Sequence, residues 1–329
     1  MTKITYDQKQ ELYGIKPDPR RSGPKPILRA ARFDSLATFT KTAASVQQSH
    51  DCFAYQSQDN GNPPTDLWDH SLGFNGALEL TKTGWIDGAR DVIHAAAKNS
   101  TKHGASDVTI TPAPMGIYAD VTAALQGDLE PFYDVDMVPE IKPSITLICG
   151  TSCSAHSSAE DVTRRGAGIL TAIQALELSG IRVALFARSS GLDSTDNIYL
   201  DTFVRVKHAD QGLNIPALAA VFCHSAFERR LGFAGIEMLA PKTFSMGYGS
   251  AMHDTPPETL AHCFRNAENV VTAPPFYHQQ EMASVSAVAV AIIESVAAAK
   301  HIDRGLAEQL KNQITNNRSA GRPANRRAS

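Results

Sequence analysis

Long apolar runs are missing from this sequence of 329 residues. The longest candidate, residues 285–299, is interrupted by Ser286, Glu294 and Ser295. It is therefore too short and too polar to cross about 30 Å of bilayer. The first 14 residues, MTKITYDQKQELYG, also lack the apolar stretch of a secretory signal. We therefore expect a cytoplasmic protein that makes no contact with a membrane.

Cysteine is scarce, and its pattern argues against both a disulfide framework and a metal centre. The five cysteines are an odd number, and none forms a closely spaced pair typical of a metal centre. We expect reduced, free thiols rather than a disulfide framework. Cys149, Cys153 and His156 resemble a zinc set, but a fourth ligand is missing, so we predict no metal and no cofactor.

The net charge of −3 conceals two basic ends. Residues 16–32 and 311–329 each carry a net charge of +5, which leaves residues 33–310 at −13. Basic ends of this kind can contact nucleic-acid phosphates, while an acidic body repels them. The alternative interpretation is two solvated tails. The candidate nucleic-acid contacts in the second tail are Arg318, Arg322, Arg326 and Arg327.

Composition predicts four regions along the chain. Residues 1–32 contain four prolines and form a basic, proline-rich arm. Residues 33–140 form an α+β segment, with predicted helices at 33–46 and 74–83 and a strand at 132–138. Residues 141–310 form the main α/β domain. Residues 311–329 form a basic, disordered tail.

The main domain is predicted from its alternation of strands and helices. Residues 144–149 (SITLIC) and 181–187 (IRVALFA) are apolar runs typical of buried strands, with a helix at 162–178 between them. A strand, a helix and a strand in this order form a right-handed parallel unit, and residues 203–208 offer a third strand. We predict a three-layer, doubly wound, Rossmann-like domain. Residues 215–222 fit a strand or a helix equally well.

The loop after the first of these strands is the candidate site, because ligands of parallel sheets bind beyond the carboxyl ends of the strands. Its pattern, Gly150-Thr151-Ser152-Cys153-Ser154, resembles the metal-ion-dependent adhesion site of von Willebrand factor A domains. In that family the first strand ends in Asp-x-Ser-x-Ser, and Ser152 and Ser154 match the two serines. Gly150 replaces the aspartate, so the resemblance implies a degenerate site that binds no cation.

Three longer segments, GFNGALELTKTGWIDGA, VTRRGAGILTAIQALELSGIRVALFA and FERRLGFAGIE, are similar to an uncharacterised phage-type family with such a degenerate domain. This resemblance implies a phage setting, and thus the host cytoplasm, but no reaction. The von Willebrand A resemblance implies a protein partner at the loop, such as an ATPase.

Charged and small residues near the predicted helices have ordinary interpretations. Arg164 and Arg165, in the first turns of the helix, are expected to be solvated. Gly166 and Gly168 are expected to let the helix approach the sheet closely. The run 228–230, Glu-Arg-Arg, is expected to be a solvated helix face.

Our leading hypothesis is a non-enzymatic adaptor or scaffold that binds a protein through Thr151, Ser152, Ser154 and His156. One alternative is a nucleic-acid-binding accessory protein that uses the basic ends. The other is a hydrolase with a serine or cysteine of the 150–158 loop as nucleophile and His156 as base. A phosphate at the N-terminus of the following helix is a further alternative.

Overall fold

The computed structural model describes residues 27–48, 65, 72–88, 90, 109–113, 118–119, 132–136, 143–154, 157–193, 198–239, 255, 257–265, 269–276 and 280–316. The strands in this part of the chain are β1 (Ile27–Phe33), β2 (Thr109–Ala113), β3 (Tyr118–Ala119), β4 (Phe132–Asp136), β5 (Ser144–Gly150), β6 (Arg182–Asp193), β7 (Ile198–Lys207) and β8 (Val270–Thr272). The helices are α1 (Leu36–Gln48), α2 (Phe74–Thr83), α3 (Ala159–Leu178), α4 (Ile215–Phe222), a π-helix (Phe227–Gly232), α5 (Phe233–Glu237), α6 (Pro257–Cys263), α7 (Val285–Ala298) and α8 (Arg304–Asn316). Among the described helices, none combines the length and the apolar character that a membrane crossing needs.

The main sheet has five strands in the order β1-β7-β6-β5-β8. Strand β5 pairs in parallel with β6 and with β8, as the strand–helix–strand pattern predicts. Strand β7 runs antiparallel to β6, because the link between residues 193 and 198 is too short for a parallel crossover. Helices flank this sheet, so the prediction of an α/β fold is confirmed. Strands β2, β3 and β4 form a second, antiparallel sheet.

The main core lies on one face of the five-stranded sheet. Alternate residues of β5, Ile145, Leu147 and Cys149, point into it, as a pleated strand requires. Helix α3 contributes Ile173 and other apolar residues, and α7 packs against α3. A smaller cluster lies on the opposite face and includes Ile148, from β5, and Cys263, the last residue of α6.

Elements near the N-terminus complete the same core. Strand β1 is an edge strand that pairs in parallel with β7, so residues 27–32 of the predicted arm belong to the sheet. Phe33, Phe39 and Phe74 are all buried in the main cluster.

The two glycines of α3 allow close packing, but against helices rather than the sheet. A Cβ on Gly166 would collide with the carbonyl oxygen of Phe222 at the end of α4. A Cβ on Gly168 would lie 2.5 Å from the Cβ of Val288 in α7. The expectation of a close approach to the sheet was therefore wrong. Residues 215–222, which the sequence left open, form helix α4, and its cap Asn214 accepts a hydrogen bond from the backbone of Ala217.

Candidate functional site

The candidate loop leaves the sheet at Gly150 and is held to the neighbouring strand by its first residue. The backbone amide of Thr151 donates to the carbonyl oxygen of Arg188 in β6 at 2.8 Å. The amide of Ser190, further along β6, donates to Ser152 Oγ at 3.1 Å. The loop therefore continues the contact between β5 and β6 beyond the regular ladder.

A buried carboxylate collects the hydroxyl groups of this region. Glu228, in the π-helix, is 8% exposed, and its Oε2 accepts a hydrogen bond from Thr151 Oγ1 at 2.6 Å. Its Oε1 accepts from Ser152 Oγ at 2.6 Å and from Ser189 Oγ at 2.9 Å. Because a carboxylate oxygen can only accept, all three hydroxyl groups donate to it. Hydrogen bonds to a charged group are the stronger kind, so Glu228 firmly joins the loop after β5 to Ser189 of β6.

The π-helix and one glycine place Glu228 in this position. A Cβ on Gly232 would collide with Oε2 of Glu228 and lie 2.9 Å from Ser189 Oγ. The side chain of Glu228 therefore folds over a position that only glycine leaves open. The expectation that residues 228–230 are a solvated helix face was wrong, since Arg230 is also fully buried. Single π-turns inside helices are frequent at functional sites.

Arg165 fixes the backbone of the same loop. Its guanidinium is 1% exposed and donates to the carbonyl oxygen of Thr151 at 2.6 Å and to that of Ser152 at 2.9 Å. The prediction of a solvated arginine was wrong here, because the loop folds back over the first turns of α3. Arg164, next to it, is more exposed at 34% and pairs with Asp161 at 2.9 Å.

The start of α3 carries the predicted cap. Ser158 Oγ accepts from the amide of Asp161 at 3.2 Å, and the carboxylate of Asp161 accepts from the amide of Ser158 at 2.9 Å. Burial alone would raise the pKa of Asp161, but the hydrogen bonds from Ser158 and Arg164 outweigh it and lower that pKa. The cap is therefore most stable when Asp161 is ionised.

A buried ion pair lies beside the loop. Arg188 Nε donates to Asp201 Oδ1 at 2.7 Å between β6 and β7. Burial raises the pKa of Asp201, and the charge of Arg188 only partly offsets this. The backbone amide of Thr151 donates to the carbonyl oxygen of Arg188, and the hydroxyl group of Thr151 donates to Glu228. Thr151 therefore links this ion pair to the Glu228 cluster, which consists of Glu228 and the hydroxyl groups that donate to it.

The structure brings together part of the predicted partner-binding loop. Thr151 and Ser152 meet at Glu228, and the carbonyl oxygen of Ser154 accepts from the amide of Ser157 at 3.0 Å. His156 and the four arginines of the C-terminal tail lie outside the described residues. In the described ranges, no three His, Cys, Asp or Glu residues cluster to hold a metal ion.

The described cysteines are free thiols, as the sequence predicts: Cys149, Cys153, Cys223 and Cys263. Burial raises the pKa of Cys149 and raises that of Cys263 to about 12. Neither of these two thiols is therefore a ready nucleophile.

Glu228, Arg165 and Ser189 are the residues that sequence reasoning missed. Ser189 had a signal, because Ser189 and Ser190 follow a buried strand just as the candidate loop does. Strands β5 and β6 are parallel and pair as far as Gly150 and Arg188, so Ser189, within β6, lies beside the loop that follows β5.

Comparison with known proteins identifies a family. Residues 24–296 match the model of a family described as a domain of unknown function, DUF7192. This match covers more than half of the chain, which therefore belongs to that family. No curated protein and no solved structure matches the chain.

Proposed function

We propose that this member of the DUF7192 family is a non-enzymatic adaptor that docks a protein partner on the loop of residues 150–154. The observation that carries the proposal is the Glu228 cluster. One carboxylate fixes Thr151, Ser152 and Ser189 through three hydrogen bonds. A loop held in one conformation loses little entropy when a partner binds, which favours docking.

The same contacts favour docking over hydrolysis. A nucleophilic serine needs a base that removes its proton when substrate arrives. The proton of Ser152 is directed at Glu228, whose Oε1 is also bound by Ser189. Glu228 lies within a base's reach of Ser152, but its two oxygens are shared among three hydroxyl groups, which supports a positioning role for the carboxylate. We take the finer fold to be doubly wound and similar to von Willebrand A domains, on the pattern of β5, loop and α3.

The proposal predicts that docking depends on the loop hydroxyls and not on metal. We expect Ser152→Ala with Ser154→Ala to weaken capture of a specific partner about tenfold, which is about 1.4 kcal/mol. Ser179→Ala is the matched control, because Ser179 caps the opposite end of α3. The measurement is quantitative affinity capture from the native host with and without chelator, followed by titration of the purified partner.

Two results would contradict the proposal that the protein is an adaptor. One is a partner that the loop variant retains as well as the Ser179 variant does. The other is labelling of Ser152 by a fluorophosphonate, which would support the hydrolase instead.

The resemblance to a degenerate metal-ion-dependent adhesion site leads to a separate prediction about Gly150. We expect wild-type protein to show no specific Mg²⁺ binding in calorimetry at millimolar metal, because the loop hydroxyls are neutral and both oxygens of Glu228 already accept hydrogen bonds from hydroxyl groups. Gly150→Asp should gain measurable Mg²⁺ affinity by supplying the anionic ligand. A Cβ at Gly150 meets no atom within 4 Å, and its φ is not positive, so the variant should fold. A well-folded variant without any gain would argue against the von Willebrand A geometry.

A further inference from the structure

Two arginines form an unusual pair at the β1 edge of the sheet. Arg32 of β1 and Arg205 of β7 have side chains that are 16% and 22% exposed. Both guanidinium carbons lie over the ring of Phe186, at 5.2 and 5.1 Å from its centroid. Arg32 also lies 5.0 Å from the ring centroid of Phe264. The aromatic faces hold both cations in place and attract them.

The pair has more positive charge than the carboxylate of Asp34 neutralises. Arg32 Nη2 and Arg205 Nη2 lie 3.0 and 3.3 Å from the same oxygen, Oδ1 of Asp34. Two guanidiniums therefore share one carboxylate, which leaves a net charge of +1. The side chain of Asp34 is 42% exposed, so the cluster opens to solvent.

The pair also has unspent hydrogen-bond donors. Arg32 Nη1 donates to the carbonyl oxygen of Cys263 at 2.6 Å, and Arg205 Nη1 lies 3.4 Å from Nδ1 of His208. The Nε atoms of both arginines are shielded from solvent, so they are not the donors that a ligand would reach. Each Nη group carries two protons, and the contacts above use one of them. Burial lowers the pKa of Arg205; Asp34 opposes this and Arg32 adds to it.

We propose that Arg32 and Arg205 together bind one phosphate of a nucleic-acid backbone. A phosphodiester carries one negative charge, which matches the excess charge of the pair, and its oxygens accept from forked guanidinium donors. The basic segment 16–32 ends at Arg32, so further cations adjoin this position in the chain. Strand β6 separates the pair from the strand that carries the docking loop, so this inference is independent of the adaptor.

The test uses the full-length chain and anisotropy of a short labelled duplex DNA at several KCl concentrations. The binding constant K falls as salt rises, so a plot of log K against log salt has a negative slope. We expect Arg205→Gln and Arg32→Gln each to make this slope less steep by about 0.9, the value for one lost phosphate contact. The matched control is Arg182→Gln, which removes an exposed arginine elsewhere on the same sheet. Circular dichroism checks that each variant is folded.

A variant with the opposite expected effect guards against misfolding as the cause. Asp34→Asn removes the competing carboxylate and should tighten DNA binding several-fold. The inference is overturned if wild-type protein does not bind DNA at low salt, or if Arg205→Gln behaves like Arg182→Gln. Weaker binding by folded Asp34→Asn would also overturn it. Equal competition by polyglutamate would overturn it in favour of an acidic protein as the occupant.

Discussion

Replacement of Glu228 by alanine should lower the free energy of unfolding by about 3–5 kcal/mol, because it leaves several buried or half-buried hydroxyl groups without the carboxylate that accepts from them. The hydroxyl groups of Ser152 and Ser189 would lose this acceptor while they remain buried or half-buried, and Thr151 would keep only the carbonyl oxygen of Arg188. Buried polar groups without partners each cost about 1–3 kcal/mol. Denaturant unfolding, followed by circular dichroism, measures the change.

Glu228→Gln separates the role of shape from that of charge. Its amide oxygen can replace Oε1, and its amide nitrogen can donate to Thr151 Oγ1. Thr151 can then donate to the carbonyl oxygen of Arg188, which lies 3.0 Å away. We therefore expect a loss of only about 1–2 kcal/mol from this variant.

Glu160→Ala is the matched control for both substitutions, because Glu160 is an exposed carboxylate at the start of α3. It should change stability by no more than about 0.5 kcal/mol. If Glu228→Ala were as mild as this control, Glu228 would not be what holds the loop.

The elements that the sequence predicted best are those with strong local signals. Strand β5 follows a proline and is mostly apolar, and the cap of α3 is visible as Ser158 and Asp161. Both elements lie where the sequence placed them, with ends shifted by a few residues. The reversal of β7 was also readable in principle, since few residues separate it from β6 and a parallel connection needs a dozen or more.

The candidate site was only half predictable because its second half is distant along the chain. Thr151 and Glu228 are 77 positions apart, and no periodicity or spacing links them. Charged side chains are nearly always exposed unless paired, so a solvated interpretation of residue 228 was the reasonable expectation. Only the fold reveals that hydroxyl groups from the loop after β5 and from strand β6 compensate this carboxylate. Gly232, four residues after Glu228, gives no local sign of the side chain that it accommodates.

Arg165→Met should be the second severe substitution, and its neighbour provides an internal control. Methionine has a similar volume but cannot donate to the carbonyl oxygens of Thr151 and Ser152, so both would stay buried without their partner. We expect a loss of about 2–4 kcal/mol, because two carbonyl groups lose their partner and each such loss costs about 1–3 kcal/mol. The same change at Arg164, which is one-third exposed, should cost about 1 kcal/mol or less.

The two arginine variants also connect stability with docking. Where both proteins remain folded, Arg165→Met should weaken partner capture as much as loss of the loop hydroxyls does, because the backbone at residues 151 and 152 is no longer fixed. Arg164→Met should leave capture unchanged. Thermal unfolding together with titration of the purified partner distinguishes the cases. Equal effects of the two substitutions would show that the loop does not depend on the buried guanidinium. The docking surface would then have to be sought at another edge of the sheet.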